Sequence, residues 1–570
     1  MRAGNLYLAL SDALALAIEN NLDIELQRYN LPAANADLLR AQGGGLLRGV
    51  PFIIFEAPAG VGGPQSPVVT NAASAARAAT SVTTNALETG GLTEPQTNFS
   101  IQGTIPQANG TAVPIFDPAV VGQLNWAHQT TPQSYFASNG TSALVQNSTI
   151  ASAGLQKAFE SGTLVNLAFN NNRQVLNSLK SDYHLYTGST LGLTVTQPLL
   201  RGFGASLNRR FIRIAGNNQK ITTLLFQQQL IATVYGVIRL YSDFVALHED
   251  SRVKQETLTL AEKLYTDTKS QVDEGTLAPV EMTRANAQVF SSRQDLIVAQ
   301  GRLEEQEAIL KNVLTRRGNE DSEVRAARII PTDPLSIPDK DEVRPMQDLI
   351  SEALANRPDL GQARLQIDNS EIGLKGTRNS LLPEVDLVGV MQNNGLAGET
   401  NPFLPNADAT FIGGYSGALD QIFTRRYPTY GVGVQVTLPL HNRIAEADLA
   451  RDEIQLRQSQ VRLRQLQNQA RLEVEDALIA MRRARASYEA AVQARILQEQ
   501  SLEAEQAKFA VGASTSYFVI QYESMLAQTR STEVAAKSAY VKARAALQRA
   551  TGTILDSNRI SVNAAYQPRR

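Results

Sequence analysis

The sequence predicts an elongated protein of mixed α and β class with an internal two-fold structural repeat. Residues 440–567 are 128 consecutive positions without proline in a chain that has 23 prolines, so a very long helix can form there. Short stretches of alternating polar and apolar residues stand between the helical regions, and this alternation is typical of β-strands. The same order of elements occurs twice, which predicts two copies of one architecture.

Three markers in the same order carry the repeat. With residue i set against residue i+336, identical residues align without a gap: Asp12, Asn20 and Arg28 with Asp348, Asn356 and Arg364. Residues 191–199 and 432–440 each read as a strand that reaches a proline before a long proline-free run. Residues 272–275 match residues 509–512, and both end in glycine. Each half is therefore predicted as short helix, medium helix, strands, very long helix, glycine turn and medium helix.

Composition excludes several classes of function. The chain has no cysteine, four scattered histidines and a formal net charge of -2, so we expect no metal site, no cofactor and no nucleic-acid partner. It contains no Ser/His/Asp set, phosphate-binding glycine loop or paired carboxylates, so it is not predicted to be an enzyme. It lacks an uninterrupted run of about 18 apolar residues, which argues against a transmembrane helix and leaves a transmembrane β-barrel open.

Residues 1–42 are predicted to hold the first short and medium helices. Asp12 interrupts the first apolar stretch, and the repeat partner of this stretch lies in mid-chain, so we expect a structural helix and no signal peptide in this sequence. The glycines at 43–45 end the medium helix. Residues 43–117 are rich in Pro, Ala, Ser, Thr and Gly, and are predicted to be a loose low-complexity insertion that contributes little to folding.

Residues 118–199 are predicted to hold the strands of the first repeat. Polar and apolar residues alternate at 120–126 and 163–169, and a further strand at 153–159 joins the latter through a tight turn at 160–162. Residues 130–150 and 171–187 are predicted to be long polar loops. Short turns at one end and long loops at the other are typical of an outer membrane barrel. A soluble β-sandwich is the alternative interpretation.

The remaining elements complete a long rod. Residues 200–315 are predicted as a hairpin of one long and one medium helix, and residues 316–345 as a linker. In the second repeat, residues 346–382 hold the short and medium helices, 383–440 the strands with a long loop at 392–428, 441–552 a second helical hairpin, and 553–570 a polar tail. Two medium helices end to end match one long helix of about 100 Å. Two strands per half give four per chain, which is too few to close a membrane barrel. We therefore expect the chain to oligomerise.

The residues that identify a family are the repeated ALALAIENNLDI (13–24) and EALANRPDL (352–360), the strand exits QPLLRGFG (197–204) and LPL (438–440), and the turn at Val511 and Gly512. Through them the chain resembles TolC-like outer membrane efflux proteins over nearly its whole length apart from 43–117. The chain departs from the family at Leu22, where proline is common, in its insertion, and in the extra hairpin at 153–170, which leaves its strand count open.

The resemblance implies a homotrimer in contact with outer membrane lipid. Its strands would share a twelve-stranded β-barrel, continued through the periplasm by an α-helical barrel. Such a protein is the exit duct of a tripartite efflux pump or type I secretion system, docked to a periplasmic adaptor and an inner membrane transporter. Drug, metal, lipid and protein cargo all remain open. The alternative is a periplasmic coiled-coil scaffold, which would share the helices but has no use for the strands.

Two groups of residues are candidate sites. The inward-facing tips of the helical hairpins are expected at two glycine turns, where the resemblance implies contact with the adaptor: Gly275, Thr276, Leu277, Ala278, Gly512, Ala513, Ser514 and Thr515. Glu281 lies six residues after the first glycine, where the family commonly has an acidic residue near the narrowest point of the tunnel, and Phe518 is its counterpart. A ring of three Glu281 carboxylates would favour cations. Alternatively, the tips are only turns, and Glu281 only complements its helix dipole.

Overall fold

The computed structural model describes residues 5–50, 54–58, 60–61, 110–275, 277–320, 322–339, 344–404, 407–511 and 513–566. The elements of the first half are β1 (Asn5–Leu8), α1 (Leu10–Asn20), α2 (Leu22–Gln42), β2 (Ala119–Pro132), α3 (Phe136–Asn139), β3 (Ala143–Ala158), β4 (Leu164–Leu176), β5 (Tyr183–Pro198), α4 (Ala205–Asn208), α5 (Arg210–Asp273) and α6 (Pro279–Leu314).

The second half follows the same order after a short connecting region. Its elements are a 3-10 helix (Gly318–Glu320), α7 (Ser322–Ala326), β6 (Arg328–Pro331), α8 (Met346–Asn356), α9 (Pro358–Ser380), β7 (Glu384–Thr400), a 3-10 helix (Ala409–Phe411), α10 (Tyr415–Phe423), β8 (Tyr427–Thr437), α11 (Arg443–Ala510), α12 (Ser516–Thr551), α13 (Ile554–Ser557) and α14 (Val562–Tyr566). The predicted linker is wrong in part, because β6 pairs in parallel with β1.

Two very long helices set the shape of the molecule. Helices α5 and α11 contain 64 and 68 residues, so each is about 100 Å long. Within the described part of the chain, α5 carries a segment that is long and apolar enough to cross a membrane, yet 89% of that segment is buried inside the fold. Such a segment is the core of a helical layer, because α5 is covered by neighbouring helices on both sides.

The helices form one layer with α5 inside and α11 at an edge. Helices α2 and α6 pack on one side of α5, and α9 and α12 pack on its other side and also contact α11. On α11, one apolar row that includes Val474 and Met481 is buried against these neighbours, whereas Ile454 and Val461 on the other flank are exposed. This second apolar flank of α11 therefore has no helix packed on it in the described part of the chain.

Two buried carboxylates join the repeats along this layer. Asp243 Oδ1 on α5 accepts hydrogen bonds from Lys542 Nζ at 2.6 Å and Ser538 Oγ at 3.2 Å, both on α12. Asp250 Oδ1, one heptad further along α5, accepts from Ser531 Oγ at 2.6 Å. Both carboxylates are buried, so these contacts fix the register between α5 of the first repeat and α12 of the second.

Apart from the parallel pair β1 and β6, the strands form one antiparallel sheet at one end of the rod. The described residues give six strands in the order β2-β3-β4-β5-β7-β8, with the two repeats joined between β5 and β7. The prediction of two strands per half is therefore wrong for the first half, which contributes four. The tight turn at 160–162 is present, and Gly162 adopts a φ of 93° there.

The predicted long loops are wrong over much of their length. Most of residues 130–150 and 171–187, and the first part of 392–428, belong to strands, which leaves connections at 133–142, 177–182 and 401–426. These strand ends carry Asn, Gln, Ser and Thr on both faces, for example at Asn171 and Asn172. A strand that is polar on both faces shows no alternation, so the sequence pattern could not reveal it.

The flanks of the predicted loose insertion are packed against the helices. We call residues 54–58, 60 and 61 the strap, because they run along α5 from its sheet end towards the middle of the rod. Phe55 N–H donates to Gln229 Oε1 at 2.8 Å, and Gln229 Nε2 donates to the Phe55 carbonyl at 2.8 Å. Val61 N–H donates to Gln306 Oε1 on α6 at 2.6 Å, and the Ile54 and Val61 side chains are buried.

The other flank of the insertion returns at the base of the sheet. Phe116 N–H donates to the Gly43 carbonyl at 3.0 Å, and buried Thr111 bonds to the Gly376 carbonyl and Asn379. Buried Arg210 donates to the Thr111 carbonyl, and burial lowers the pKa of this guanidinium to about 10. The prediction that the whole of 43–117 contributes little to folding is therefore wrong for both flanks; residues 62–109 lie outside the described part.

Candidate functional site

The first helical hairpin reverses at Gly275. This residue has a φ of 77°, a left-handed conformation that glycine adopts without strain. Its N–H donates to the Val272 carbonyl at 3.0 Å, and Leu277 N–H donates to the Gln271 carbonyl at 3.3 Å, which closes the end of α5. Helix α6 begins four residues later with Pro279 in its first turn. Thr276 lies outside the described residues.

The second hairpin reverses between α11 and α12. Ala513 N–H donates to the Lys508 carbonyl at 2.9 Å. Ser514 Oγ donates to Glu505, whose Oε2 also accepts from Lys508 Nζ at 2.9 Å. The Ser514 hydroxyl and then Lys508 hold the pKa of the Glu505 carboxyl below its usual value. Gly512 lies outside the described residues, so its part in this turn stays a prediction.

Glu281 and Phe518 occupy equivalent places in the two repeats. Glu281 N–H donates to the Ala278 carbonyl at 3.0 Å, and Phe518 N–H donates to the Thr515 carbonyl at 3.1 Å, so each lies in the first turn of its helix. Phe518 is 46% exposed, and its ring lies 5.5 Å from the Tyr517 ring. An exposed aromatic residue at the end of a hairpin is available to a neighbouring chain.

The Glu281 side chain bonds the two hairpins to each other. Its Oε2 accepts from Ser516 Oγ, at the start of α12, at 2.5 Å, and its Oε1 accepts from Arg284 Nη1 at 2.7 Å. Its side chain is 14% exposed. Both oxygens are therefore engaged in the chain itself, a role that neither the ring interpretation nor the helix-dipole interpretation includes. The sequence alone did not indicate the contact with Ser516, although the repeat makes Ser516 the counterpart of Pro279.

An apolar cluster and a charged network support the tips. Apolar side chains from α5, α11 and α12 pack together just above the turns: Leu264, Leu502, Phe509, Val519, Tyr522 and Leu526. Glu523 lies beside this cluster, and burial raises the pKa of its carboxyl. Higher up, Arg530 on α12 contacts Glu499 on α11 at 2.8 Å and Glu256 on α5 at 3.5 Å. Bonding to Arg530 and Arg495 lowers the pKa of Glu499.

The arrangement of the tips suits binding to another protein better than metal binding or catalysis. In the part of the chain that the structure describes, no group of three or more His, Asp or Glu residues could hold a metal ion. The tip residues are small or apolar and stand on bonded turns at the end of the rod that is remote from the sheet. A fixed, solvent-facing surface of this kind can receive another protein.

The sheet at the opposite end has one exposed apolar face. On β8, Tyr430, Val432, Val434 and Val436 are exposed, and Gly431, Gly433 and Gln435 alternate with them. Large apolar side chains in this alternation are typical of a strand with one face in lipid and the other towards a lumen.

Comparison with known proteins agrees with this geometry. The family model described as Outer membrane efflux protein matches residues 162–316 and 349–553. No curated protein sequence matches the chain significantly. The CmeC outer membrane channel of Campylobacter jejuni is similar in structure, with 13% identity, a TM-score of 0.56, and coverage of 96% of this chain and 86% of that chain.

Two further solved structures share the fold. The MtrE outer membrane channel of Neisseria gonorrhoeae, in its open state, has 12% identity, a TM-score of 0.53, and coverage of 96% of this chain and 89% of that chain. The outer membrane protein VceC of Vibrio cholerae has 17% identity, a TM-score of 0.50, and coverage of 69% of this chain and 87% of that chain. At these identities the likeness shows the fold alone.

Proposed function

The chain belongs to the outer membrane efflux protein family, and from this premise we propose that three copies form an exit duct that docks by its hairpin tips on a periplasmic adaptor and receives cargo from an inner membrane transporter. Its fold is the TolC-like fold of mixed α and β class with two repeats. It is an outer membrane efflux channel of tripartite systems that extends into the periplasm, and it is not an enzyme.

Exposed apolar edges support assembly with further copies. The free flank of α11 exposes Ile454 and Val461, and the opposite edge of the helical layer exposes Tyr29 on α2 and Phe290 and Ile297 on α6. An exposed apolar strip of this length in water requires a partner. Packing the α11 flank of one copy on the α2 and α6 edge of the next buries both strips and closes the layer into a tube.

The observation that carries adaptor docking is the bond between the two tips. Helices α5 and α11 leave the sheet and run in the same direction for 64 and 68 residues, so both hairpins reverse at the same far end. There the Glu281–Ser516 contact joins them. A partner therefore meets two turns in one fixed arrangement, and little conformational entropy is lost when it binds.

Site-directed cross-linking from the tips tests this docking. A photoreactive probe on Ala278→Cys or Ala513→Cys should cross-link to a periplasmic adaptor in cells, because both positions lie in the turns. Ser291→Cys is the matched control, since it is exposed about 20 Å further up α6. Adaptor capture at the tips and none at Ser291 supports docking there.

Equal capture at all three positions, or none at the tips, would overturn it. Trimer formation is scored separately, by heat-sensitive bands in the outer membrane fraction. A chain that forms trimers but gives no tip cross-link would lose the docking proposal while remaining a channel.

A further inference from the structure

The strand count points to a wider membrane wall than the family resemblance implies. We propose that, in the trimer of the proposed function, β2 of one copy pairs with β8 of the next, and that the wall contains eighteen strands, because the described part of each chain contributes six. The occupant of the β2 edge is therefore a second copy of this chain.

The β2–β3 hairpin continues the apolar face of the other four strands. One row of directly paired residues crosses the whole sheet: Val120, Leu155, Leu167, Leu193, Met391 and Tyr430. Five of the six side chains are aliphatic or methionine, the sixth is the aromatic ring of Tyr430, and all are 36–83% exposed. On β2 the same face carries Leu124 and Trp126. A hairpin lying in water would have no reason to keep this row in register with the lipid-facing residues of β4 to β8.

The opposite face of the same hairpin is polar in the same register. A second row of directly paired residues crosses the sheet on that face: Gln123, Ser152, Asn170, Thr190, Asn394 and Tyr427. The hairpin therefore divides lipid from lumen as the other strands do. The hairpin is therefore a part of the barrel wall, with its apolar face towards lipid and its polar face towards the lumen.

The edges of the sheet require a partner and fit each other. Each residue of β2 and of β8 is exposed, and in lipid the unpaired backbone groups of an edge strand must find hydrogen bonds. Six strands are too few to close a barrel alone. Successive strands alternate in direction, so the first and the last of six run oppositely, and β8 of one copy can join β2 of the next in the antiparallel order of such barrels.

A twelve-stranded wall would require the neighbouring copy to pair with β4. That edge is already occupied, because β3 pairs with β4 continuously from Gln146↔Leu176 to Ala158↔Leu164. Barrel diameter grows about linearly with strand number, so eighteen strands give a mouth about half as wide again as twelve.

Disulfide cross-linking between copies distinguishes the two walls, and the absence of native cysteine makes it clean. Leu124→Cys on β2 is combined with a cysteine at Tyr430, Val432 or Val434 on β8, and Phe169→Cys on β4 is combined with the same β8 set. After oxidation of outer membrane trimers, we expect covalent dimers and trimers from a β2/β8 pair and none from the β4/β8 pairs.

Deletion of residues 119–158 provides the reciprocal control. It removes β2 and β3 and frees β4, so the β4/β8 pairs should cross-link in this variant alone. Cross-links from β4/β8 in the full chain, or from neither set in assembled trimers, would overturn the eighteen-stranded wall. The proposed function would survive both results, whereas the absence of heat-sensitive trimers from the unsubstituted chain would count against that function itself.

Discussion

A glycine-to-alanine change in α5 measures how firmly the strap is held. Gly236 lies in the buried part of α5, where a Cβ would come within 2.2 Å of the Ala57 Cβ on the strap. Gly216, twenty residues nearer to the sheet in the same helix, has no atom within 4 Å of an added Cβ. Alanine at 216 and alanine at 236 therefore differ in the contact with the strap.

The two substitutions are expected to change the free energy of unfolding in opposite directions. Replacing a glycine in a helix interior by alanine contributes about 1 kcal/mol of stability through helix propensity. Overpacking at Gly236 costs about 2 kcal/mol. The strap cannot simply leave, since burying Ile54 and Val61 contributes about 2 kcal/mol each and Gln229 would lose both bonds to Phe55. We expect Gly236→Ala to lose about 1 kcal/mol and Gly216→Ala to gain about as much.

Heat denaturation of purified trimers, followed by loss of helical circular dichroism, measures both changes. Gly236→Ala should lower the midpoint and speed proteolysis of the strap, and Gly216→Ala should raise the midpoint. Adding Ala57→Gly to Gly236→Ala should restore the parental midpoint, because it removes the Cβ that is struck. If both alanine variants shift the midpoint upwards alike, the strap does not pack on α5 as described.

Three further predictions concern the tips. Glu281→Ala removes the acceptor of Ser516, a charge-assisted bond of about 1.5–3 kcal/mol. It should raise single-channel conductance in planar bilayers, with Ser516→Ala giving part of the rise; Glu281→Gln should instead lower cation selectivity, and unchanged selectivity would argue against a carboxylate ring. Gly275→Val strains the turn by about 1–2 kcal/mol and should impair export while trimers still form, whereas Gly301→Ala in α6 should leave export normal. Burial raises the pKa of the Glu523 carboxyl from its ordinary 4.5, so the ionised group lowers stability as pH rises above that value. Glu523→Gln should therefore raise the heat-denaturation midpoint at pH 7 and lose this advantage near pH 4.5; an equal gain at both would refute the assignment.

The long helices could be predicted because their signals are local. The proline-free run predicts the second helical hairpin from residue 441, within two residues of the observed start of α11 at Arg443. The strand ends could not be predicted, since consecutive polar residues such as Asn171 and Asn172 put polar side chains on both faces of β4 and leave no alternation. Their strand conformation depends on pairing with distant residues, such as Ala151 and Ile150 on β3.

The packing of the strap on the helices could not be predicted, because an extended segment held by side-chain amides shows no periodic pattern of apolar residues in the sequence. Gln229 bonds the N–H and the carbonyl of Phe55 as a neighbouring strand would, whereas Gln306 accepts from Val61 N–H and donates to the Leu240 carbonyl on α5. Glutamine on a helix usually faces solvent. The available signal was Gly236, since glycine inside a strong helix often marks the close approach of another backbone. The Glu281–Ser516 contact could have been inferred only by superposing the two repeats at their tips.

The two carboxylates that join α5 to α12 determine what kind of motion the assembled duct permits. Sliding α5 along α12 by one helical turn would move the bonded side chains apart by about 5.4 Å. Asp243 and Asp250 would then be buried charges without partners, which costs several kcal/mol. Lengthwise travel of one hairpin along the other is thereby blocked. Beyond Asp250, α5 continues for about 35 Å to its end. Movement of the tips is therefore expected as sideways bending of the helical segments beyond Asp250, without lengthwise displacement of one hairpin against the other.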